Sequence, residues 1–226
     1  WDTTVELQHE LRPGVSVQAG YYRNWTHHFG SIASGWPTGV TDNLAVTPAD
    51  FNPFCITAPA DPRLPGGGGY QVCGLYDVAP AKFGQGEEVV TRASNYDKGK
   101  SRSSDFFTGS VNTRIGRRLE LGASLDTGRT VEDNCFVVDS PQQLLNCRVV
   151  TPAKGQTQLK VHGVYPLPGA FVVSGILQNV SGVNYQANYV VRNNEIAPSL
   201  GRNLAACGTR AVCSATATVP LIPPQT

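Results

Sequence analysis

The sequence predicts an all-β protein, built as an antiparallel up-and-down meander of about 6–8 strands with three long loops on one side. Three observations lead to this fold class. Segments of about 8–11 residues alternate apolar and polar side chains, which is typical of strands rather than helices. Short turns that contain Gly or Pro join these segments in pairs. Longer stretches, which hold the 6 cysteines, separate one pair from the next.

The first predicted pair of strands comprises TVELQHEL (4–11) and VSVQAGYY (15–22). The connection at 12–14 contains Pro and Gly, so these two segments are expected to form a hairpin. Because side chains alternate across a strand, one face of the first segment is apolar and the other is polar. The polar face carries Glu6, Gln8 and Glu10.

Two further hairpins are predicted downstream. One joins FFTGSVNTRI (106–115) to LELGASLDTG (119–128), and the other joins QLKVHGVY (158–165) to AFVVSGILQN (170–179). Gly or Pro again lies in both connections, and the last strand alternates less cleanly than the others. The polar faces of these strands carry Arg114, Glu120, Asp126, Lys160 and His162.

Long segments follow every second strand, at about 26–104, 129–155 and 180–226. The run PGGGG at 65–69 excludes a helix or a strand interior at that point, whereas 184–191 and 215–222 could pair as a small extra hairpin. In an antiparallel meander this order places every tight turn at one end of the sheet. All three long loops then lie at the opposite end.

Each long loop contains two cysteines. No His lies close to any of them and the chain has no CxxC, which argues against zinc ligation and thioredoxin-type chemistry. An even number of cysteines favours disulfides in an oxidising compartment, and pairing of sequence neighbours is favoured over the other possible connectivities. Such local bonds would limit fraying and proteolysis of exposed loops. The predicted pairs are Cys55 with Cys73, Cys135 with Cys147, and Cys207 with Cys213.

One short end and one long end is how outer-membrane barrels are built, so the meander is predicted to be part of such a barrel. If the polar face met a packed core, burying its charges would cost several kcal/mol each, about 3 or more for an unpaired one. A water-filled or plugged lumen removes that cost. A soluble β-sandwich with its charged face in solvent is the alternative that the pattern leaves open.

The composition limits the partners of the chain. Charged residues make up 15% of the 226 residues and the net charge is +1, so nothing indicates binding to nucleic acid. No apolar run is long enough for a transmembrane helix. Met is absent, and the chain is therefore expected to be a processed product or a piece of a longer protein.

Four stretches resemble extracellular loops of TonB-dependent-receptor-like outer-membrane proteins, the group that carries an N-terminal carboxypeptidase-regulatory-like domain. They are TDNLAVTPADFNPFC (41–55), LPGGGGYQVCGLYDVAPAKFGQ (64–85), DTGRTVEDNC (126–135) and NEIAPSLGRNLAAC (194–207). The resemblance implies a large barrel of about 22 strands. It also implies that the barrel takes up a bulky solute, driven by an inner-membrane energy-coupling complex.

The chain departs from that family in three ways. It holds too few strands to close such a barrel, it has no recognisable plug domain or coupling box, and it stops short of a final strand that ends in an aromatic residue. The resemblance therefore covers a late portion of the barrel. The segment Thr26–Gly39 is longer than expected there, and its role is open.

No catalytic, cofactor or metal site is predicted. The histidines His9, His27, His28 and His162, and the aspartates Asp50, Asp61 and Asp77, lack the spacing of zinc or calcium ligands. The aromatic residues Tyr21, Tyr22, Trp25, Phe106 and Phe107 lie near strand ends on the long-loop side and could form an interfacial girdle.

The sequence thus predicts a non-enzymatic barrel segment for ligand binding and uptake at the bacterial outer membrane or cell exterior. Its partners would be the lipid bilayer, the remaining barrel strands and, through parts outside this chain, the energy-coupling complex. The alternative is a structural subunit of an extracellular filament or surface assembly, formed by self-association through sheet edges.

Overall fold

The computed structural model describes residues 1–27, 39–96, 100–116, 118–182 and 185–224. In order along the chain, the strands are β1 (Asp2–Arg12), β2 (Val15–His27), β3 (Gly39–Asn43), β4 (Phe51–Thr57), β5 (Gln71–Val78), β6 (Glu88–Arg92), β7 (Ser101–Ile115), β8 (Leu119–Asp133), β9 (Arg148–Thr151), β10 (Gln158–Pro166), β11 (Val172–Asn179), β12 (Asn188–Arg192) and β13 (Thr216–Pro220). One helix, α1, spans Asn193–Leu200 within these ranges. Single 3-10 turns occur at Pro48–Asp50, Pro65–Gly67, Pro80–Lys82, Ala93–Asn95, Pro141–Leu144, Ala153–Gly155 and Ala205–Cys207.

Seven strands form one antiparallel sheet, which confirms the predicted all-β meander. Its path runs β1-β2-β7-β8-β10-β11, and β9 extends it beside the outer end of β8. Tight turns join β1 to β2, β7 to β8 and β10 to β11, whereas long segments follow β2, β8 and β11. In the described part of the chain β1 and β11 each pair on one side only, so the sheet is open and closes no barrel by itself.

The central strands are longer than predicted, so the long loops begin further along the chain. Strands β7 and β8 have 15 residues each, and they pair from Ile115 with Leu119 out to Ser101 with Asp133. Apolar alternation is lost in the outer part of both strands because both faces carry polar side chains there. The backbone ladder still continues, supported by cross-strand ion pairs such as Arg102 with Glu132 at 3.4 Å.

The described residues of the long segments form further strands and turns. Two-stranded sheets form between β3 and β6, β4 and β5, and β12 and β13. The last of these is the small hairpin expected from 184–191 and 215–222, with shorter strands. We refer to the described residues of 39–96, 134–147 and 185–224 together as the cap.

The helix α1 was not predicted. It starts where the backbone N–H of Arg192 donates to Glu195 Oε1 at 3.2 Å, and it ends at Gly201, which has a left-handed φ of 76°. Eight residues make barely two turns, so periodicity gives little signal, and Pro198 inside the helix weakens it further. Burial of Ile196 in the cap stabilises this short helix.

The hydrophobic core of the described chain lies in the cap and not on the main sheet. Its largest cluster combines side chains of β4 and β5 with those of α1, β12 and β13, namely Phe54, Ile56, Leu75, Val191, Ile196, Leu204, Val219, Leu221 and Ile222. A smaller cluster joins Val40 and Ala93 to Val138. The faces of the long strands remain largely accessible, so the main sheet offers two open surfaces.

Candidate functional site: a two-faced sheet and a cross-linked cap

The register of the main sheet brings the predicted polar positions together. Glu10 pairs with Ser16, which pairs with Asn112, and each row continues across the strands in the same way. Since residues that pair directly share a face, eight side chains from four strands lie on one side of the sheet. These are Glu6, Gln8, Glu10, Arg114, Glu120, Asp126, Lys160 and His162. Whether this polar face lines a lumen stays a prediction.

A cavity of about 370 Å³ opens on the polar face next to the tight turns. Glu10, Arg114, Glu120 and His162 contribute to its lining, and Arg114 forms an ion pair with Glu120. The ring of His162 lies against β8 at Gly122, where an added Cβ would come within 2.2 Å of the imidazole. Glycine at that position therefore makes room for the ring.

The opposite face of the sheet is a band of exposed apolar side chains. Leu7 is 70% exposed and Phe107 is 56% exposed. Along β7 the band runs from Phe107 to Ile115, about nine residues, which matches a strand that crosses a bilayer. Other large members are Val5, Val111, Leu121, Leu125, Leu159, Val173 and Leu177.

Aromatic and charged residues end this band at its cap side. The ring centroids of Tyr21 and Phe107 are 4.9 Å apart. In the next pair on the same face, two residues closer to the cap, the Arg23 guanidinium lies 3.6 Å from the Asp105 carboxylate. Strand alternation divides the five aromatic residues proposed as a girdle. Tyr21, Trp25 and Phe107 share the apolar face, whereas Tyr22 and Phe106 lie on the polar face.

Three disulfides cross-link the cap, and each joins cysteines that are neighbours in sequence. They are Cys55–Cys73, Cys135–Cys147 and Cys207–Cys213, with separations of 18, 12 and 6 residues. The first holds β4 to β5 and the third closes the loop after the Ala205–Cys207 turn. The disulfides indicate an oxidising location outside the cytoplasm.

Hydrogen bonds join the three cap segments to each other. Gln142, between Cys135 and Cys147, accepts from the backbone N–H of Tyr76 in β5 at 3.0 Å. The hydroxyl of Ser199 in α1 accepts from the backbone N–H of Cys55 at 2.8 Å. The second cross-linked loop thus docks on the first, and the third does the same.

Arg202 is the main ionic contact within the cap. Its guanidinium donates to Asp77 Oδ2 at 2.5 Å, to Asn52 Oδ1 at 2.9 Å and to the carbonyl of Val78 at 2.9 Å. The Arg202 and Asp77 side chains are only 24% and 14% exposed. The contact therefore ties the segment after α1 to β4 and β5 in a partly desolvated place, where such a pair is sensitive to loss of either partner.

Acidic groups meet where the second cross-linked loop contacts β3. Asp139 Oδ1 accepts from the backbone N–H of Asn43 at 2.9 Å, and the hydroxyl of Tyr96 donates to Asp42 Oδ2 at 2.6 Å. Burial raises the pKa of Asp139, and the neighbouring Asp42 and Glu88 carboxylates raise it further. Burial and the bond to Asp42 raise the pKa of Tyr96 well above the usual range for tyrosine.

A groove of about 450 Å³ crosses the surface of the cap between its first and last segments. Its floor is apolar, formed by Leu64, Leu221 and Ile222. Sequence reasoning did not find this groove, because its two sides are more than 100 residues apart. The PGGGG run at 65–69 is the one sequence signal close to it.

The aspartates considered as calcium ligands have other partners. Asp50 accepts from Thr47 in a 3-10 turn, Asp61 pairs with Arg63, and Asp77 pairs with Arg202. No group of three side chains in the described ranges could hold a metal ion. His28 and most of Thr26–Gly39 lie outside the described residues.

Among the described helical residues, none form a helix that is long and apolar enough to cross a membrane. Comparison with protein-family models, with curated proteins and with solved structures finds no match to this chain.

Proposed function

We propose that the chain is a segment of an outer-membrane TonB-dependent-receptor-like barrel that binds a ligand in its cap and takes it up past its polar face. The observation that carries this proposal is the pair of unlike faces on one open sheet. One face exposes an apolar band about nine residues long, and the other groups eight polar or charged side chains.

Energetics favours lipid on the apolar face and water on the polar face. Exposed apolar surface costs roughly 25 cal/mol per Å², so a continuous band of this size favours an apolar environment. The charges on the other face would each cost several kcal/mol if they met the same environment. A barrel wall, with lipid outside and a wet lumen inside, satisfies both faces.

The asymmetry of the two ends supports the same function. Turns of a few residues lie at one end, and the cap with its three disulfides lies at the other. A cross-linked cap outside the cell would present the ligand, whereas the missing strands and an energy-coupling complex would come from parts outside this chain.

Accessibility of inserted epitopes tests this arrangement. The whole natural polypeptide is expressed in a bacterium that has an outer membrane, with one epitope between Ala211 and Val212 of the cap or one between Gly169 and Ala170 of a tight turn. Both sites are exposed, and Val212 is 91% exposed. An antibody should reach the cap epitope on intact cells and the turn epitope only after the membrane is opened. Equal access to both, or absence from the membrane fraction, would refute the proposal.

A structural subunit of an extracellular filament is the second candidate, favoured by the edge strands. All 11 residues of β1 and all 8 residues of β11 are exposed, so each edge can pair with a further strand. In a barrel that strand belongs to the rest of the wall, and in a filament it belongs to another copy. Particle images of the chain without lipid distinguish the two, since only the filament would form fibres there.

A further inference from the structure

The PGGGG run at 65–69 closes the loop whose residues Pro59, Asp61, Arg63 and Leu64 form one wall of the cap groove. The backbone N–H of Asp61 donates to the carbonyl of Gly67 at 3.0 Å, which closes a compact loop over 58–69. Gly68 has a φ of 86°, and an added Cβ there would lie 1.9 Å from the carbonyl oxygen of Pro59. Only glycine allows this close approach, so Gly68 fixes the loop that carries the wall residues.

Other contacts fix the floor and the far wall. The hydroxyl of Tyr70 donates to the carbonyl of Leu221 at 2.8 Å, which ties the first segment to the last. The hydroxyl of Tyr189 donates to Glu195 Oε2 at 2.9 Å, and this bond raises the pKa of that phenol. The groove is therefore preformed, and a ligand would lose little affinity to ordering the protein.

The charges at the groove neutralise each other. The guanidinium of Arg63 donates to Asp61 Oδ1 at 3.0 Å and to Oδ2 at 2.6 Å. The bonds from Arg63 lower the pKa of Asp61 to about 2, so the pair stays ionised and internally balanced at neutral pH. With no net charge at the wall, the groove does not favour an anionic or a cationic ligand.

Free polar groups stand next to the apolar floor. The side-chain amides of Gln186 and Asn188 line the groove, and within the described chain neither has a hydrogen-bond partner. Each amide both donates and accepts, as hydroxyl groups do. Tyr185 lines the same groove and is 61% exposed, so its ring offers an uncovered apolar face with a polar tip.

We infer that this groove binds a neutral, hydroxyl-rich ligand, namely pyranose units of an uncharged oligosaccharide. A pyranose has an apolar C–H face, which suits Tyr185 and the floor, and a rim of hydroxyls, which suits the two amides. The volume of about 450 Å³ lies in the usual range for small-ligand sites. This inference rests on the proposed function, because it names the class of solute that the cap would present.

Calorimetric titration of the full chain tests the inference directly. The probes are four uncharged hexasaccharides, made of glucose, mannose, galactose or xylose, with a hexamer of a uronic acid and an uncharged hexapeptide as comparisons. At least one neutral hexasaccharide should bind. Tyr185→Ala should weaken that binding about tenfold, as expected for an aromatic anchor, and Tyr185→Phe should keep it within about threefold. The matched control Tyr165→Ala removes an exposed tyrosine from the sheet and should change nothing.

Three outcomes would overturn the inference. They are no binding of any neutral hexasaccharide, binding that is unchanged in both Tyr185→Ala and the Gln186→Ala/Asn188→Ala double variant, and tighter binding of the peptide or the uronic acid. None of these outcomes bears on the result of the epitope experiment, since binding of an oligosaccharide to the chain in solution does not depend on a membrane. Failure of the epitope experiment would equally leave the titration standing.

Discussion

Val111 and Ser110 are neighbours in β7 whose side chains point to opposite faces at the same depth. Val111 pairs with Val17 and Ala123 in the apolar band, whereas Ser110 pairs with Gln18 and Ser124 on the polar face. Replacing each with arginine, one at a time, therefore introduces the same charge at the same height on the two sides of the sheet.

The expected costs differ because the two environments differ. Val111 lies midway between Phe107 and Ile115, at the centre of the apolar band. An arginine that faces lipid at the bilayer midplane costs about 2–4 kcal/mol, which lowers the folding equilibrium about 30- to 1,000-fold. Ser110→Arg faces water and should cost less than about 0.5 kcal/mol.

A third variant tests the dependence on depth. Val5 pairs with Tyr21 at the cap-side end of the band, beside the charged row of Arg23 and Asp105. An arginine at this level reaches the membrane surface, so Val5→Arg should cost only about 0–1 kcal/mol. Two arginine substitutions on the same apolar face should thus differ in their cost to stability, with a large loss at Val111 and a small loss at Val5.

The assay is equilibrium unfolding by urea of the whole natural polypeptide in phospholipid vesicles, followed by tryptophan fluorescence. Val111→Arg should lower the free energy of unfolding at an unchanged slope, and Ser110→Arg should leave it close to wild type. Equal losses for these two variants would refute the two-environment reasoning. Equal losses for Val111→Arg and Val5→Arg would favour a protein contact along the whole face over a bilayer.

Three further predictions concern the cap. Arg202→Ala leaves the poorly exposed Asp77 carboxylate without its cation and should destabilise the cap by about 3 kcal/mol. Amide hydrogen exchange in the cap should become faster, and Arg202→Lys should recover part of the lost stability. Asp139→Asn should raise the thermal midpoint at pH 7, because a carboxyl whose folded pKa is raised stabilises the fold most when it is protonated and loses that contribution as pH rises. The gain in thermal midpoint should disappear below about pH 4, where the carboxyl is protonated in both states. A gain that persists in acid would contradict the role of charge beside Asp42. Gly68→Ala should impair the groove wall and weaken hexasaccharide binding, while circular dichroism of the sheet stays unchanged.

Six of the seven strands of the main sheet could be predicted because their signal is local, whereas β9 lies inside the predicted loop 129–155. Alternation with a period of two identified the hairpins, and the order of short and long connections assigned every turn to an end. The outer parts of β7 and β8 were not predicted, because neither face of the strands is apolar there. The alternation of apolar and polar residues therefore ends before the backbone hydrogen bonds between the two strands do. The helix α1 was not predicted for a related reason, since its eight residues are too few to show a helical period of apolar residues.

One part of the candidate site could be predicted from the sequence and the other part could not. The polar positions on the sheet were identifiable from each strand by itself, and the register then aligned them in shared rows. The groove combines Leu64 with Tyr185 and Leu221, which are far apart in sequence, so no local pattern indicated that they meet. The Gly run could be recognised as a structure breaker, but the close approach of Gly68 to Pro59 that explains it is a tertiary fact.

The sequence by itself determined the six strands of the three long hairpins, their two faces, the polarity of the two ends and a preference for disulfides between neighbours. Each of these depends on residues within one hairpin or one loop. Only the tertiary structure decided that the long segments form a cap with its own core, because contacts such as Cys55 with Ser199 and Tyr70 with Leu221 join residues 144 and 151 positions apart. The physical reason is that burial in the cap combines segments distant in the chain, since the first and last segments share the largest cluster and the first and second share the smaller one.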